Sequence, residues 1–287
     1  DGADVVRKVN SFSLERVEAE IAYIAERVPP TVRNLFLSDL NFGMYKQDLD
    51  ICAAIARAQK NWNYPAYVDT TTGKNAKARV ISAIEQLDGA LRLTMSIQSM
   101  TEGVLENIKR DNIRLDDFFA LQPAIRSARL PTLSEVILGL PGETFDSHLE
   151  TLSSLLEADI DLVVPYTLML LNGTELATQE SRAKWGFKSR FRVLPRDFTR
   201  LGDGRAIVEV EEVVIETNTM SFDEYVRARK IALLISAVNT IGFRALRRFL
   251  KEHDVRLMDM LLRVLDAVEA AVASAGGGGP GAPAPLS

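Results

Sequence analysis

Cysteine and histidine are scarce in this chain. One cysteine, Cys52, and two histidines, His148 and His253, occur among its 287 residues. A single cysteine excludes an internal disulfide framework and a metal cluster held by several thiolates of these residues. Two histidines leave little provision for general acid–base catalysis, in which histidine is the most common participant.

Long apolar runs and an excess of positive charge are also absent. The sequence contains no run of about 18 apolar residues, which is the length that spans a bilayer, and we find no signal-peptide pattern. The net charge is −5 at pH 7 and the pI is near 5.3, so no overall basic field recruits nucleic acid. We therefore expect a cytoplasmic protein with no membrane span and no nucleic-acid partner.

Five short apolar runs are present instead, and most are separated by amphipathic helical patterns. They lie at residues 35–37, 66–68, 91–95, 136–138 and 162–164. Strands that alternate with helices predict a parallel sheet, either open or closed into a barrel. The run Leu35–Leu37 is continuously apolar, which predicts a strand covered on both faces.

Polar or glycine-rich segments follow four successive strands of this pattern. They contain Asp39 and Asn41, residues 69–74, Ser96 and Gln98, and residues 139–143. Ligands of parallel α/β folds bind at the carboxyl ends of the strands. Taken alone, the turn Gly139-Leu-Pro-Gly142 indicates a structural turn, but its place in this series predicts a ligand site.

Three segments, in this order and spacing, resemble the radical S-adenosylmethionine (radical SAM) superfamily. They are LFLSDLNFGM from Leu35, LTMSIQSMTEGVLENIKRDN from Leu93 and SEVILGLPGETFDSHLETL from Ser134. The similarity covers roughly residues 1–219 and is greatest to the branch in which a cobalamin-binding domain often precedes the radical SAM domain. It implies an α/β fold, a partial (β/α)6 TIM-like barrel that lacks the first strand and the cluster loop.

The resemblance also implies S-adenosylmethionine (SAM) and a 4Fe–4S cluster as cofactors, and it leaves open whether cobalamin is used. Family members hold the cluster with a Cys-x-x-x-Cys-x-x-Cys motif, which this chain does not contain. Cys52 lies on a predicted helix and cannot replace it. We expect the cluster cysteines upstream of Asp1, so that the chain is a fragment that is inactive alone. The alternative is a degenerate member without a cluster.

Site roles follow from the resemblance residue by residue. Asp39 and Asn41 stand where family members hold the methionine amino group with Gly-Gly-Glu. Ser96 and Gln98 match a polar pair directed at ribose hydroxyls or substrate. Arg110 stands where a basic residue meets the methionine carboxylate, a task that suits a guanidinium.

The adenine element of the family, Gly-x-Ile-x-Gly, is matched at Ile137 and Gly139, whereas Glu135 replaces its first glycine. Met169, together with its two leucine neighbours, is expected to form an apolar wall, although an ordinary core position explains it as well. Glu143 is expected to stabilise the dipole of the helix that follows it.

The leading functional hypothesis is a radical SAM enzyme domain. The intact protein would cleave SAM to a 5′-deoxyadenosyl radical and modify a small-molecule or natural-product substrate, with methyl transfer if cobalamin is used. Its electron donor would be a flavodoxin or ferredoxin. The alternative is a non-catalytic nucleotide-binding or partner-binding barrel. A TIM-barrel lyase or aldolase ranks last, because Lys74 is the only lysine near a strand end.

Four regions are expected along the chain. A barrel at residues 1–175 precedes a β-rich extension at 176–220, C-terminal helices at 221–273 and a disordered Gly/Pro tail at 274–287. Residues 118–128 are expected to be helical, and the helix of the third region is expected to begin at Ser221 or Asp223. Residues 206–215 indicate one strand or two half-strands. The basic and aromatic segment Phe187–Thr199 has no role that the sequence defines.

Overall fold

The computed structural model describes residues 11–39, 41–72, 77–91, 93–110, 132–158 and 160–276. The predicted helix at 118–128, Lys74 and the Gly/Pro tail from residue 277 onward lie outside these ranges. Described strands are β1 Asn34–Phe36, β2 Tyr67–Asp69, β3 Leu93–Gln98, β4 Thr132–Leu138, β5 Leu162–Thr167, β6 Lys188–Arg200 and β7 Ala206–Glu216.

The helices are more numerous than the strands, and most follow a strand of the parallel sheet. They are α1 Leu14–Arg27, α2 Lys46–Trp62, α3 Lys77–Gln86, α4 Glu102–Asn107, α5 Phe145–Glu157, α6 Gln179–Trp185, α7 Phe222–Val238, α8 Arg244–Glu252 and α9 Leu257–Gly276, with short 3₁₀ turns at Glu175–Ala177 and Ile241–Phe243. Serine side chains cap two of them. The Ser13 hydroxyl accepts from the backbone N–H of Arg16, and Ser221 forms a capping box with Glu224.

All five strands predicted from apolar runs are confirmed, and they run parallel. β1 pairs with β2, and β3, β4 and β5 form a second group in sequence order. A parallel bridge between Val68 and Leu91 joins the two groups, and the N–H of Val68 donates to the carbonyl of Ala90 at 2.8 Å. The order β1-β2-β3-β4-β5 is that of an α/β fold, and the partial barrel stays a prediction.

One face of this sheet is packed against helices. Alternate strand residues lie in a single apolar core with helix residues such as Ile55 and Leu152, and these strand residues are Leu35, Val68, Ile97, Val136 and Val163. The opposite face is open, because Phe36, Tyr67 and Tyr166 are 72%, 48% and 45% exposed. The prediction that β1 is covered on both faces is therefore wrong among the described residues.

A long antiparallel hairpin, β6–β7, follows the parallel strands. β7 is one strand rather than two half-strands, whereas β6 was not predicted from the sequence. The hairpin is attached to the end of β5 by backbone hydrogen bonds. The N–H of Leu170 donates to Glu212, and the N–H of Val214 donates to Leu168, both at 2.9 Å.

Within the described ranges, we find no helix that is both long enough and apolar enough to cross a membrane.

Candidate functional site

A polar cluster lies on the open face of the sheet, where β3 and β4 run side by side. Ser96 of β3 is in register with Glu135 of β4. The Ser96 hydroxyl donates to Glu135 Oε2 at 2.7 Å. Strand residues alternate between faces, so Ile137, two positions after Glu135, lies on the same face.

Arg110 joins this cluster from the turn that follows α4. Its Nη2 donates to the carbonyl oxygen of Ser96 at 3.3 Å. Its Nε is buried and has no hydrogen-bond partner among the described residues. Burial lowers the pKa of Arg110, and the negative charge of Glu135 opposes this shift. Because a guanidinium stays protonated in proteins, the cluster contains a cation whose Nε has no acceptor in the described part of the chain.

Tyr166 extends the cluster onto β5, where it is in register with Ile137. Burial raises the pKa of its phenol, and the charge of Glu135 raises it further. The side chain is only partly covered. Sequence reasoning did not single out Tyr166 and noted Glu135 only as a departure from glycine, although the alternation of β4 and β5 places both on the face of Ile137.

Gln98 marks the carboxyl end of β3. Its φ of +62° lies in the left-handed region, which few residues other than glycine adopt without cost. The register of β3 against β4 shifts between Ser96 and Gln98. The half-buried Gln98 side chain therefore leaves the regular strand at the edge where ligands of this fold class bind.

The turn after β4 is held by a buried carboxylate. Gly139 has φ of +86°, and its N–H donates to Glu143 Oε2 at 3.0 Å. Glu143 and His148 are fully buried, with Oε1 and Nδ1 3.3 Å apart. The N-cap of α5 is Thr144, whose hydroxyl accepts from Ser147 at 3.1 Å. The expectation that Glu143 serves the helix dipole is thus corrected, because its carboxylate binds the turn.

Asp39 and Asn41 lie at the end of β1, and both are exposed. The Asp39 carboxylate accepts from the backbone N–H of Asn41 at 2.7 Å, and the Asp39 carbonyl accepts from the Thr70 hydroxyl at 3.1 Å. No hydrogen bond within the described part of the chain joins them to the Ser96–Glu135–Arg110 cluster. The structure thus joins Ser96 and Arg110 by a hydrogen bond, places Ile137 farther along the same face of β4, where it packs against the core around Leu168, and leaves Asp39 and Asn41 at another strand end.

Met169 follows β5 and forms an antiparallel bridge with Val213 of β7. It is half-buried, whereas its neighbours Leu168 and Leu170 are buried in a small core with Val104. These neighbours are therefore core residues.

Cys52 is a core residue of α2. It is fully buried, and burial raises the pKa of its thiol to about 12. A thiol that stays protonated at neutral pH is neither a nucleophile nor a metal ligand. In the described ranges, no group of three or more His, Cys, Asp or Glu side chains is arranged to hold a metal ion.

Comparisons with known proteins agree with the sequence resemblance, although no family model matches the chain. It is 34% identical to the cobalamin-dependent radical SAM methyltransferase TokK of Streptomyces tokunonensis over 234 residues, 79% of this chain. It is 32% identical to the 2-(S-pantetheinyl)-carbapenam-3-carboxylate methyltransferase of Streptantibioticus cattleyicolor over 229 residues, 78% of this chain. The chain spans about a third of the length of each relative, 33% in both cases.

A solved structure shows the same fold. The radical SAM methyltransferase TsrM of Kitasatospora setae, with cobalamin and a [4Fe-4S] cluster bound, superposes with a TM-score of 0.51 at 12% identity. The superposition covers 79% of this chain and 46% of TsrM. These comparisons confirm the resemblance to the radical SAM superfamily, since over 79% of its length the chain is similar to a cobalamin-dependent radical SAM methyltransferase.

Proposed function

We propose that this chain is the SAM-binding part of a cobalamin-dependent radical SAM methyltransferase. In this proposal, residues 1–175 form the partial (β/α)6 barrel, 176–220 its extension, and 221–273 the C-terminal helices. The observation that carries the proposal is Arg110, whose buried Nε has no described partner beside the carboxyl end of β3. A buried unsatisfied donor is costly, and a ligand carboxylate satisfies it.

The residues on the open face fit the parts of SAM. Arg110 suits the methionine carboxylate, because a guanidinium binds a carboxylate through two parallel hydrogen bonds. Ser96 and Gln98 suit the ribose, since both are half-buried polar side chains at the end of β3. Ile137, which is half-buried near the end of β4, offers an apolar surface to adenine, and Gly139 follows it in the turn.

The remaining predicted residues complete the proposed pocket. Asp39 is exposed and its carboxylate accepts one described hydrogen bond, so it suits the methionine ammonium group. Asn41 lies beside it at the same strand end. Met169 is half-buried at the end of β5, where its thioether would pack against the nucleoside.

The cluster itself does not fit the residues of this chain. Iron–sulfur clusters are held by several thiolates, and the single thiol here is buried with a raised pKa. We propose that the cluster cysteines precede Asp1 and that the chain alone is inactive. When bound with a reduced cluster, SAM supplies a 5′-deoxyadenosyl radical. The residues of this chain bind and orient SAM and exclude water.

The names of the two relatives suggest the reaction and the substrate class of the whole protein. Both are methyltransferases, one is cobalamin-dependent, and the substrate of the other is a pantetheinyl carbapenam carboxylate. We propose methyl transfer to a small natural product, with cobalamin as a cofactor and a flavodoxin or ferredoxin as electron donor.

The first test is the coding sequence upstream of Asp1. We expect a Cys-x-x-x-Cys-x-x-Cys motif there. The protein expressed with that sequence, reconstituted with iron, sulfide and cobalamin and reduced with dithionite, should release 5′-deoxyadenosine or S-adenosylhomocysteine from SAM. Arg110→Gln should weaken SAM binding, whereas Arg205→Gln in an exposed turn should not. A well-formed cluster that yields neither product would contradict the proposal.

A second candidate function is a degenerate barrel that binds a nucleotide without radical chemistry. The observation that favours it is the buried Cys52, the single cysteine of the sequence. The same upstream sequence decides between the two. If no cysteine triplet is encoded there and the chain still binds SAM, the degenerate barrel is the correct function.

A further inference from the structure

Glu135 occupies a position where the resemblance leads one to expect glycine, and it changes the hydrogen-bonding character of the site. A serine hydroxyl has one hydrogen to donate and two lone pairs to accept with. The hydrogen of Ser96 is used in its 2.7 Å bond to Glu135 Oε2. Ser96 therefore presents only acceptor lone pairs to a ligand.

The second carboxylate oxygen of Glu135 is also an acceptor. No hydrogen bond or ion pair of Oε1 is found among the described residues, and the side chain is half-buried on the open face. The nearby Arg110 does not neutralise it by direct contact, because its Nη2 donates to the Ser96 carbonyl instead. Glu135 Oε1 and Ser96 Oγ thus form a pair of acceptors beside a cation that keeps a free donor.

The position of this acceptor pair relative to Ile137 indicates which part of a nucleoside it meets. Glu135 precedes Ile137 by two residues on the same face of β4, which separates their Cα atoms by about 7 Å along the strand. This is roughly the distance from the centre of an adenine base to the far side of its ribose. A base packed on Ile137 can therefore direct its sugar hydroxyls at the acceptor pair.

We propose that Glu135 is a specificity-determining residue that accepts a hydrogen bond from a ribose hydroxyl of the bound nucleoside and holds Ser96 as a second acceptor. This inference rests on the proposed function. It assigns a role to a residue at which this chain departs from the superfamily pattern. A ligand that lacks this hydroxyl leaves Glu135 Oε1 without a donor, so the site discriminates against the corresponding deoxynucleoside.

The test measures binding of S-adenosylhomocysteine and its 2′-deoxy and 3′-deoxy analogues to the 287-residue chain by calorimetry. Glu135→Gly and Glu135→Gln are compared with Glu150→Gln, which alters an exposed glutamate of α5. We expect Glu135→Gly to weaken S-adenosylhomocysteine binding about 10-fold to 100-fold, the range of a charge-assisted hydrogen bond. For the deoxy analogue that lacks the hydroxyl bound by Glu135, the Kd values of wild type and Glu135→Gly should differ by less than about 3-fold.

Two further variants and two possible binding results decide the outcome. Glu135→Gln retains the shape of the side chain and should fold normally with an intermediate loss, and Ser96→Ala should reduce the same ribose selectivity. Equal losses for all three ligands in Glu135→Gly would overturn the inference and leave the proposed function intact. If S-adenosylhomocysteine does not bind the wild-type chain, the proposed function fails and the inference fails with it.

Discussion

At the scale of single residues, Arg182 of α6 forms an ion pair with Glu212 of β7. Nη1 and Nη2 of Arg182 donate to the two oxygens of Glu212 at 2.6 and 2.7 Å, and the Ser189 hydroxyl also donates to it. These bonds, chiefly that from Arg182, lower the pKa of Glu212 from 4.5 to about 2. The carboxylate is 14% exposed, so solvent screens the pair only partly.

The pH dependence of the free energy of unfolding follows from the direction of this pKa shift. Since the pKa of Glu212 is lower in the folded than in the unfolded chain, its contribution is full above pH 4.5 and disappears as the pH falls through about 2. We expect Glu212→Gln to lower the free energy of unfolding by about 1.5–3 kcal/mol at pH 7, and the difference from wild type to shrink below pH 4.5.

Urea denaturation at several pH values measures this difference. Glu209→Gln, at an exposed position of the same strand, is the matched control and should change the stability little at any pH. A Glu212→Gln curve that stays parallel to the wild-type curve from neutral to acidic pH would contradict the assignment.

A second residue-scale prediction concerns Glu143. Its carboxylate is fully buried and accepts from the N–H of Gly139. Glu143→Ala leaves this N–H and His148 without the carboxylate, so we expect the free energy of unfolding to fall by about 1–3 kcal/mol, with a further loss from the cavity. Glu143→Gln keeps an acceptor oxygen, so its free energy of unfolding should fall less than that of Glu143→Ala. Equal losses in the two variants would show that the bond to Gly139 contributes nothing.

The residues of the candidate site were predictable only in part. The resemblance singled out Ser96, Arg110 and Ile137, and the structure joins the first two by a hydrogen bond and places Ile137 on the same face as Glu135. Glu135 was noticed as a departure from the pattern but given no role. Its contact with Ser96 depends on the register of β3 against β4, and residues 99–131 separate the two strands in the chain. The sequence does not define such a register.

At the scale of elements, apolar runs were a reliable guide to the parallel strands, because each of the five strands places an apolar residue in the helix-covered core. β6 was missed because its arginines alternate with exposed apolar residues such as Phe191 and Phe198, which are 72% and 74% exposed. Pro195 also interrupts it, within the shifted register between Val193 and Phe198. The pattern of β6 therefore reflects pairing with β7 rather than burial.

The packing of the loop before α2 against α3 provides a prediction at this scale. Gly43 has φ of +90°, and an added Cβ would lie 2.8 Å from Val80 Cγ2 and 3.2 Å from Val80 Cα. Gly89 has φ of +76° with nothing within 4 Å of an added Cβ. Gly89→Ala should thus cost only the left-handed strain of about 1–2 kcal/mol, whereas Gly43→Ala should cost about 1–3 kcal/mol more, because Val80 must move.

Thermal and urea denaturation of the two variants test this comparison. Because both glycines have left-handed backbones, the difference between the variants isolates the contact with Val80. If Gly89→Ala were as destabilising as Gly43→Ala, the packing of the loop before α2 against α3 would not be the cause.

At the scale of the whole molecule, one side of the parallel sheet is covered by helices and the other side is open. α7 and α9 pack near α5 and are linked to each other by Arg227–Asp266 and Lys230–Glu269. Val163 of β5 lies in the same core as Ile231 of α7 and Leu261 of α9. The stable core is therefore on the helix side, and ligand binding on the open face should add stability without rearranging this core.

This arrangement predicts how a SAM analogue changes the stability of the chain. A ligand that binds only the folded state at about 100 times its Kd stabilises it by about 2.7 kcal/mol. For a chain of this size, that corresponds to a rise in Tm of roughly 4–5 °C. We expect S-adenosylhomocysteine to produce such a rise in the wild-type chain, measured by differential scanning calorimetry.

Arg110→Gln should reduce this rise selectively. If the guanidinium holds the ligand carboxylate, its loss weakens binding about 30-fold, and the stabilisation at the same ligand concentration falls to about 1 kcal/mol. The ligand-free Tm should change much less, because Arg110 makes one described hydrogen bond, to Ser96. Arg205→Gln should retain the full rise, since Arg205 pairs with Asp203 in the exposed hairpin turn. An Arg110→Gln chain that keeps the full rise would remove Arg110 from the site.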